Sequence, residues 1–160
     1  MRVANTSPGR RNAVEYTTKK VCEILDRDRK TQADDIATGH CGHVPEAVGS
    51  LRFWEQDDIA AERWFMDLRA EGYPVRIAGA LASRLRSALR FHPDAPQLTL
   101  VTLENGNRFA LPADALNLTD GFTSGCAVRE AVMVDARNLR ERVQSLIDAA
   151  AQIVGDRDEG

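Results

Sequence analysis

The stretch YTTKKVCEILDRDRKTQADDIATG, residues 16–39, decides the fold because it places two short helices in succession. An apolar face on residues 21–25 predicts a helix over Thr18–Leu25, which the charged run after it ends. Thr31 can cap a second helix, and Gly39 can end it. Two short helices joined by a few residues form a helix-turn-helix unit.

The sequence that follows predicts a wing and two more helices. Residues 42–53 are interrupted by proline and glycine, which suits a small hairpin or an irregular wing. Asp57 and Asp58 favour the start of a third helix, since acidic groups are stabilised at the positive end of the helix dipole. A fourth helix with one apolar face is predicted over residues 74–90. We therefore assign residues 16–91 to a winged helix-turn-helix DNA-binding domain.

Residues 1–15 are mostly polar, contain Pro8-Gly9 and three arginines, and predict a flexible basic arm. Residues 92–160 predict a β-hairpin followed by a C-terminal helical region. Asn105-Gly106 is a two-residue turn signal, and pairing across it would place Thr102 opposite Phe109 and Leu100 opposite Leu111. The expected fold class is mainly α, with a smaller β component that makes it α+β.

The C-terminal segment from about Ala127 to Val154 contains no interior Gly or Pro and predicts one long helix. Its apolar residues recur with alternating spacings of four and three, which is a heptad seam. We expect this seam to pair with a second copy as a coiled coil, making a homodimer. Packing against the chain's own body is the alternative. The seam residues are Val132, Ala136, Leu139, Val143, Leu146, Ala150 and Ile153.

Composition limits the classes of function. The chain of 160 residues is 43% hydrophobic, which fits a folded globular protein. No apolar run approaches the roughly 20 residues that span a bilayer, and Cys22, Cys41 and Cys126 are too few and scattered for a disulfide framework. The arginine-rich, alanine-rich composition is typical of a bacterial chain. We expect a cytoplasmic protein without membrane contact.

The charge is unevenly distributed. Met1 to Phe53 has a net charge of +2, whereas His92 to Gly160 has −5. A mildly basic N-terminal part on an acidic body is compatible with DNA binding, because local phosphate contacts matter more than the total charge.

The sequence offers little catalytic chemistry. It contains no nucleophile elbow and no phosphate loop, so we expect neither an enzyme nor a cofactor. His40-Cys41-Gly42-His43 is the one cluster of metal-ligand types in the sequence. Zinc sites need further ligands at a set distance, so Cys22 or Cys126 would have to approach from elsewhere. We therefore predict no metal site, with metal binding by this cluster as the alternative.

Four short motifs resemble those of MerR-type winged-helix transcription regulators over roughly residues 16–89. They are Tyr16-Thr17-Thr18 before the first helix, Arg52-Phe53-Trp54 after the wing, Asp57-Asp58-Ile59 at the third helix and Gly72-Tyr73-Pro74-Val75 before the fourth. The resemblance implies a homodimeric regulator that binds a pseudo-palindromic DNA site. The family's second helix usually has an aromatic and arginine-rich stretch, and this chain has Gln32-Ala33-Asp34-Asp35-Ile36 there.

A recognition helix needs hydrogen-bond donors near its N-terminus for base edges, and cations around it for phosphates. The residues predicted to contact double-stranded DNA are Arg29, Lys30, Thr31 and Gln32 from the second helix, His43 and Arg52 from the wing, and Arg10 and Arg11 from the arm. Asp34 and Asp35 would have to face away from phosphate or accept from a cytosine amino group.

A second class of function competes with DNA binding. The hairpin and the acidic C-terminal region could bind another protein, which would make the chain a non-enzymatic, antitoxin-like or phage-encoded adaptor. Salt dependence separates the two, since DNA binding weakens steeply as salt rises.

Overall fold

The computed structural model describes residues 14–115, 122–123 and 125–158, with the backbone alone described at 122–123 and 153–158. These residues form a mixed α+β fold with small antiparallel sheets. The described elements are β1 (Tyr16–Thr17), α1 (Thr18–Leu25), α2 (Arg29–Ala37), β2 (Phe53–Trp54), α3 (Gln56–Ala70), α4 (Val75–Phe91), β3 (Leu98–Leu103), β4 (Arg108–Pro112), a 3-10 turn (Ala113–Ala115), β5 (Phe122–Thr123), β6 (Cys126–Val134) and α5 (Ala136–Asp158).

The two helices of the opening stretch begin and end through local capping. Asp26 adopts a left-handed conformation with φ +50° and ends α1. Asp28 then caps α2, because its carboxylate accepts from the backbone N–H of Thr31 at 2.9 Å. The prediction of Thr31 as the cap was therefore wrong by three residues. Asp is a stronger capping residue than Thr, and its earlier position adds Arg29, Lys30 and Thr31 to the helix.

A short β-ladder closes the N-terminal unit. Tyr16 pairs with Trp54 and Thr17 pairs with Phe53, so β1 and β2 join the two ends of a segment that contains both helices. The buried Trp54 indole donates to Thr18 Oγ1 at 3.0 Å, which satisfies its one N–H. This pairing fixes α1, α2 and the loop after them relative to α3.

The hairpin at residues 98–112 has a register one residue away from the predicted one. Val101 pairs with Phe109 and Leu100 pairs with Ala110. The loop has three residues, since the backbone N–H of Leu103 still donates to the carbonyl of Asn107 at 2.8 Å. Gly106 takes the left-handed position, with φ +87°, that such three-residue loops require.

The predicted long helix begins later than expected. Residues 126–134 form β6, which pairs antiparallel with β3. The β-branched residues Val128, Val132 and Val134 favour a strand. The backbone of β3 pairs with this strand along its whole length, from Leu98 to Leu103. Asp135 then caps α5 by accepting from the N–H of Asn138 at 2.9 Å. Val132 therefore lies in a strand and is not part of a helical seam.

The first part of the heptad seam packs inside the chain's own core. Ala136, Leu139 and Val143 are buried, and α5 packs against α3 and α1. Leu146 and Ala150 are half-buried at the edge of the same cluster. Packing against the chain's own body, the alternative to a coiled coil, thus accounts for these buried residues. The side chain of Ile153 lies outside the described residues.

One continuous core joins the head, residues 16–91, to the following sheet and α5. The four-stranded sheet has the order β4-β3-β6-β5, and Leu98 and Leu100 of β3 belong to the same core cluster as α1, α3 and α4. Arg140 of α5 donates to the carbonyls of Leu89 and His92 at 3.1 and 3.2 Å. This guanidinium satisfies carbonyl groups at the C-terminal end of α4.

Within the described part of the chain, no helix is long and apolar enough to cross a membrane.

Replacing Leu139 by Ala is expected to reduce the free energy of unfolding by about 2–5 kcal/mol, since the buried side chain leaves a cavity between α5 and α3. Urea denaturation measures this loss. Glu141→Ala, on the exposed face of the same helix, is the matched control and should change stability by less than about 0.5 kcal/mol. A Leu139→Ala variant of unchanged stability would place this residue outside the core.

Candidate nucleic-acid interface

The helix α2 exposes most of its side chains. Arg29, Lys30, Thr31 and Ala33 are exposed, and Ile36 is half-buried against the core. The Thr31 hydroxyl is engaged locally, because it donates to the Asp28 carboxylate at 2.9 Å. The outer face of α2 is therefore available for a partner, and two of its first three residues carry positive charge.

Gln32 does not belong to that face. Its side chain is 1% exposed, and its Oε1 accepts from the Cys22 thiol at 3.1 Å. The prediction that Gln32 contacts DNA is wrong for this conformation, because a buried amide cannot reach a base edge. Gln32 instead attaches α2 to α1.

A buried ionic cluster fixes α2 from the other side. Arg27, in the connection between α1 and α2, forms ion pairs with Glu62 of α3 and with Asp35 of α2. Glu62 is 1% exposed. The guanidinium also lies 5.4 Å from the centre of the Phe65 ring, a favourable cation–π distance. Asp35 thus faces Arg27 and not the outer surface, which removes one of the two acids from the α2 face.

His43 is part of this cluster and not of an exposed wing. It is fully buried, its Nε2 lies 2.8 Å from Glu62 Oε2, and its ring centre is 5.0 Å from that of Phe65. Burial lowers the pKa of His43 to about 3, and the neighbouring charges of Arg27 and Arg86 act in the same direction. A neutral imidazole therefore donates to Glu62. The predicted contact of His43 with DNA is wrong, because Glu62 provides a partner inside the core.

The side chains of His40 and Cys41, in the same His40-Cys41-Gly42-His43 motif, do not converge on one point with His43. Cys41 Sγ donates to the carbonyl of Asp35 at 3.4 Å, and burial raises the pKa of its thiol to about 11. His40 is exposed to solvent. Its backbone carbonyl oxygen lies so close to Gly79 that a Cβ atom at position 79 would be only 2.0 Å from it. Glycine at position 79 therefore allows this loop to lie against α4. In the parts of the chain with described structure, no group of three or more His, Cys, Asp or Glu could hold a metal ion.

A shallow groove of about 330 Å³ runs between α2 and the loop before β2. We call it the α2 groove; its lining includes Arg29, Ala33, Ser50 and Arg52. Arg52 donates to the carbonyl of Pro45 and is half-buried, so it stabilises the loop while lying beside α2. Within the loop, Val48 and Leu51 form an isolated antiparallel bridge around Gly49-Ser50.

The structure brings some predicted contact residues together and separates others. Arg29, Lys30, Thr31 and Arg52 lie on or beside one surface. Gln32 lines the α2 groove but is only 1% exposed, and His43 is fully buried. Arg10 and Arg11 lie outside the described residues.

Sequence reasoning missed the buried ionic residues of α3. Glu62 and Asp58 are each 1% exposed, and Asp58 Oδ1 lies 2.7 Å from Arg86 Nε and 2.8 Å from an Arg90 nitrogen. Helical spacing gave a usable signal, because Glu62 lies three residues from both Ile59 and Phe65, on the apolar face of α3. A charged residue at such a position usually has a buried partner.

Comparison with known proteins gives no match, either to a protein-family model or to a curated protein. The resemblance to MerR-type regulators therefore depends on the motifs and their arrangement alone.

Acid is expected to destabilise the protein through His43. Its pKa in the folded state is about 3, below the 6.5 of an unperturbed histidine, so the unfolded chain binds a proton that the folded chain excludes. Stability contributed by neutral His43 is complete above pH 6.5 and is lost as the pH falls toward 3. Between pH 7 and pH 5 the loss should be about 2 kcal/mol, measured by urea denaturation.

The matched comparison uses two glutamine variants. His43→Gln can still donate to Glu62 but cannot titrate, so its stability should change much less between pH 7 and pH 5. His40→Gln, at an exposed position, should keep the pH dependence of the unmodified protein. An equal pH dependence in all three proteins would show that His43 is not held neutral by the core.

Proposed function

We propose that the head is a winged helix-turn-helix and that the protein is a homodimeric transcription regulator binding a pseudo-palindromic DNA site. The observation that supports this most is the outer face of α2. Arg29 and Lys30 are exposed there, beside the α2 groove with Arg52, and none of the three forms an ion pair within the described residues. Cations that form no internal ion pair can neutralise DNA phosphates.

The support beneath α2 favours the same function. Gln32 and Asp35 anchor the helix through Cys22 and Arg27, so its outward side chains are not needed for packing. A recognition helix benefits from this division, because base contacts depend on a fixed position of the helix. Small side chains also help, since Ala33 lets a partner approach the α2 backbone closely.

An exposed acid within α2 restricts the mode of contact. Asp34 is exposed on α2, whereas Asp35 is paired with Arg27. In a major groove, an aspartate can accept a hydrogen bond from the amino group of cytosine. We propose that Asp34 faces the base edges and that Arg29, Lys30 and Arg52 lie along the phosphates.

The homodimer is proposed to use the distal half of α5. This helix has 23 residues, and Val143 is its last fully buried position among the described side chains. Leu146, Ile147 and Ala150 follow as half-buried residues. A second copy of α5 could cover what the chain's own core leaves accessible, and two-fold pairing would present two heads to a symmetric site.

Replacing both Arg29 and Lys30 by Ala is expected to weaken duplex binding about tenfold or more. The slope of log affinity against log salt should fall by about 1.8, as expected for two lost phosphate contacts. Fragments selected from sheared genomic DNA supply the duplex, and fluorescence anisotropy at several salt concentrations measures affinity. Arg129→Ala with Arg137→Ala is the control, since both arginines are exposed outside the head and their removal changes the net charge equally.

Equal weakening by both pairs would indicate an effect of total charge and not a contact by α2. If the folded protein selects no DNA, the transcription-regulator proposal is contradicted and the adaptor function is favoured. Met133 on β6 is exposed and could contact a protein partner of such an adaptor.

Sedimentation equilibrium tests the proposed dimer. The unmodified protein is expected to sediment as a dimer, and Leu146→Asp as a folded monomer, because a charge at a half-buried position disrupts pairing with modest effect on the core. Leu139→Asp should unfold, since Leu139 is buried. A monomeric unmodified protein, or a Leu146→Asp variant that remains dimeric, would contradict pairing through this helix.

A further inference from the structure

A second groove lies between the C-terminal half of α4 and the edge strand β4, away from the α2 groove. Its volume is about 470 Å³, within the usual range for sites that bind small molecules. We call it the α4–β4 groove. Ala88 and Ala110 line it as small residues, Phe91 supplies larger apolar surface, and Phe109 and Leu111 complete the lining from β4.

Phe91 is unusual in this setting. It is the last residue of α4 and is 83% exposed, although it lines the groove. An aromatic ring left in water at the edge of an apolar groove could bury its surface against a bound molecule.

Two arginines converge on the same groove. Arg84 of α4 donates to the carbonyl of Val101 at 2.9 Å and lies 3.4 Å from Thr102 Oγ1. Arg108 is the register partner of Thr102, and register partners on antiparallel strands project from the same face. Both guanidinium groups therefore approach the end of the groove next to Thr102.

Among the described residues that line the groove, none is an acid that neutralises this pair of cations. Burial lowers the pKa of Arg84, and the like charge of Arg108 lowers it further. Glu130 of β6 acts in the opposite direction on the pKa of Arg84. It is the register partner of Thr102 in the other neighbouring strand, and it is not one of the residues that line the groove. The described lining of the groove contains two arginines, one histidine and two serines, and no carboxylate.

We propose that the α4–β4 groove binds a small amphipathic carboxylate, with its apolar part against Phe91 and Ala110 and its anionic end between Arg84 and Arg108. The apolar walls require a hydrocarbon or aromatic body, and the paired guanidinium groups require an anion. Guanidinium groups match the planar geometry of a carboxylate through two parallel hydrogen bonds. This binding does not depend on whether the head binds DNA.

Titration calorimetry of the full chain tests the proposal with 4-phenylbutyrate and octanoate as probes. Each probe is compared with its primary amide, which has the same body without the charge. At least one carboxylate should bind with saturation below about 5 mM, and its amide should bind about tenfold more weakly, a difference of about 1.4 kcal/mol.

Three variants locate the site. Arg108→Gln should weaken binding of the carboxylate about fivefold to tenfold, while leaving the weak binding of the amide unchanged. Ser87→Trp should abolish binding of both, because Ser87 is an exposed residue of the lining and a Trp side chain would fill the groove. Arg76→Gln, on an exposed turn of α4 outside the lining, is the charge-matched control and should bind like the unmodified protein.

Absence of saturable binding by either carboxylate would overturn the proposal. Equal affinity for acid and amide would overturn the role of the arginines, and binding that survives Ser87→Trp in a folded variant would place the ligand elsewhere. The circular dichroism spectrum of each variant confirms folding before titration.

Discussion

The arrangement of the head depends on the buried ion pair between Arg27 and Glu62. Arg27 lies in the connection between α1 and α2, and its guanidinium reaches Glu62 on α3 as well as Asp35 on α2. Breaking a buried pair by removing one partner leaves an uncompensated charge in the core, at a cost of about 3–5 kcal/mol. The neutral imidazole of His43 donates a hydrogen bond to the carboxylate of Glu62. Three helices and the following loop are thus oriented around one charge cluster, and α2 keeps its outer side chains free.

The same cluster explains why an acidic second helix can support a binding surface. The sequence places two acids side by side at Asp34 and Asp35, which would oppose phosphate if both were exposed. In the fold, Asp35 turns toward Arg27, and only Asp34 remains on the outer face. The separation follows from helical geometry, since adjacent residues on a helix project about 100° apart. The buried pairing of Asp35 with Arg27 therefore makes the outer face of α2 less acidic than its sequence suggests.

Local signals allowed much of the fold to be predicted from the sequence. The apolar face of α1, the acidic first turn of α3 and the apolar stripe of α4 gave these helices within a few residues. Longer-range features could not be predicted in the same way. Residues 126–134 have no helix-breaking residue, and their pairing with β3 decides between a strand and the predicted helix. The hydrogen-bond partners of Gln32 and His43 are Cys22 and Glu62, which lie on other helices. No local pattern in the sequence indicates these contacts, so both residues were predicted to contact DNA although the fold buries them.

A photocrosslinking residue at position 33, in the middle of the exposed face of α2, tests the central claim most directly. With duplex DNA selected by the protein, we expect a covalent protein–DNA adduct from position 33. We expect none from the same residue at position 80, which is exposed on α4 outside the α2 groove. Crosslinking from position 80 and not from position 33, with DNA bound in both cases, would contradict the assignment of α2 as the helix that contacts DNA.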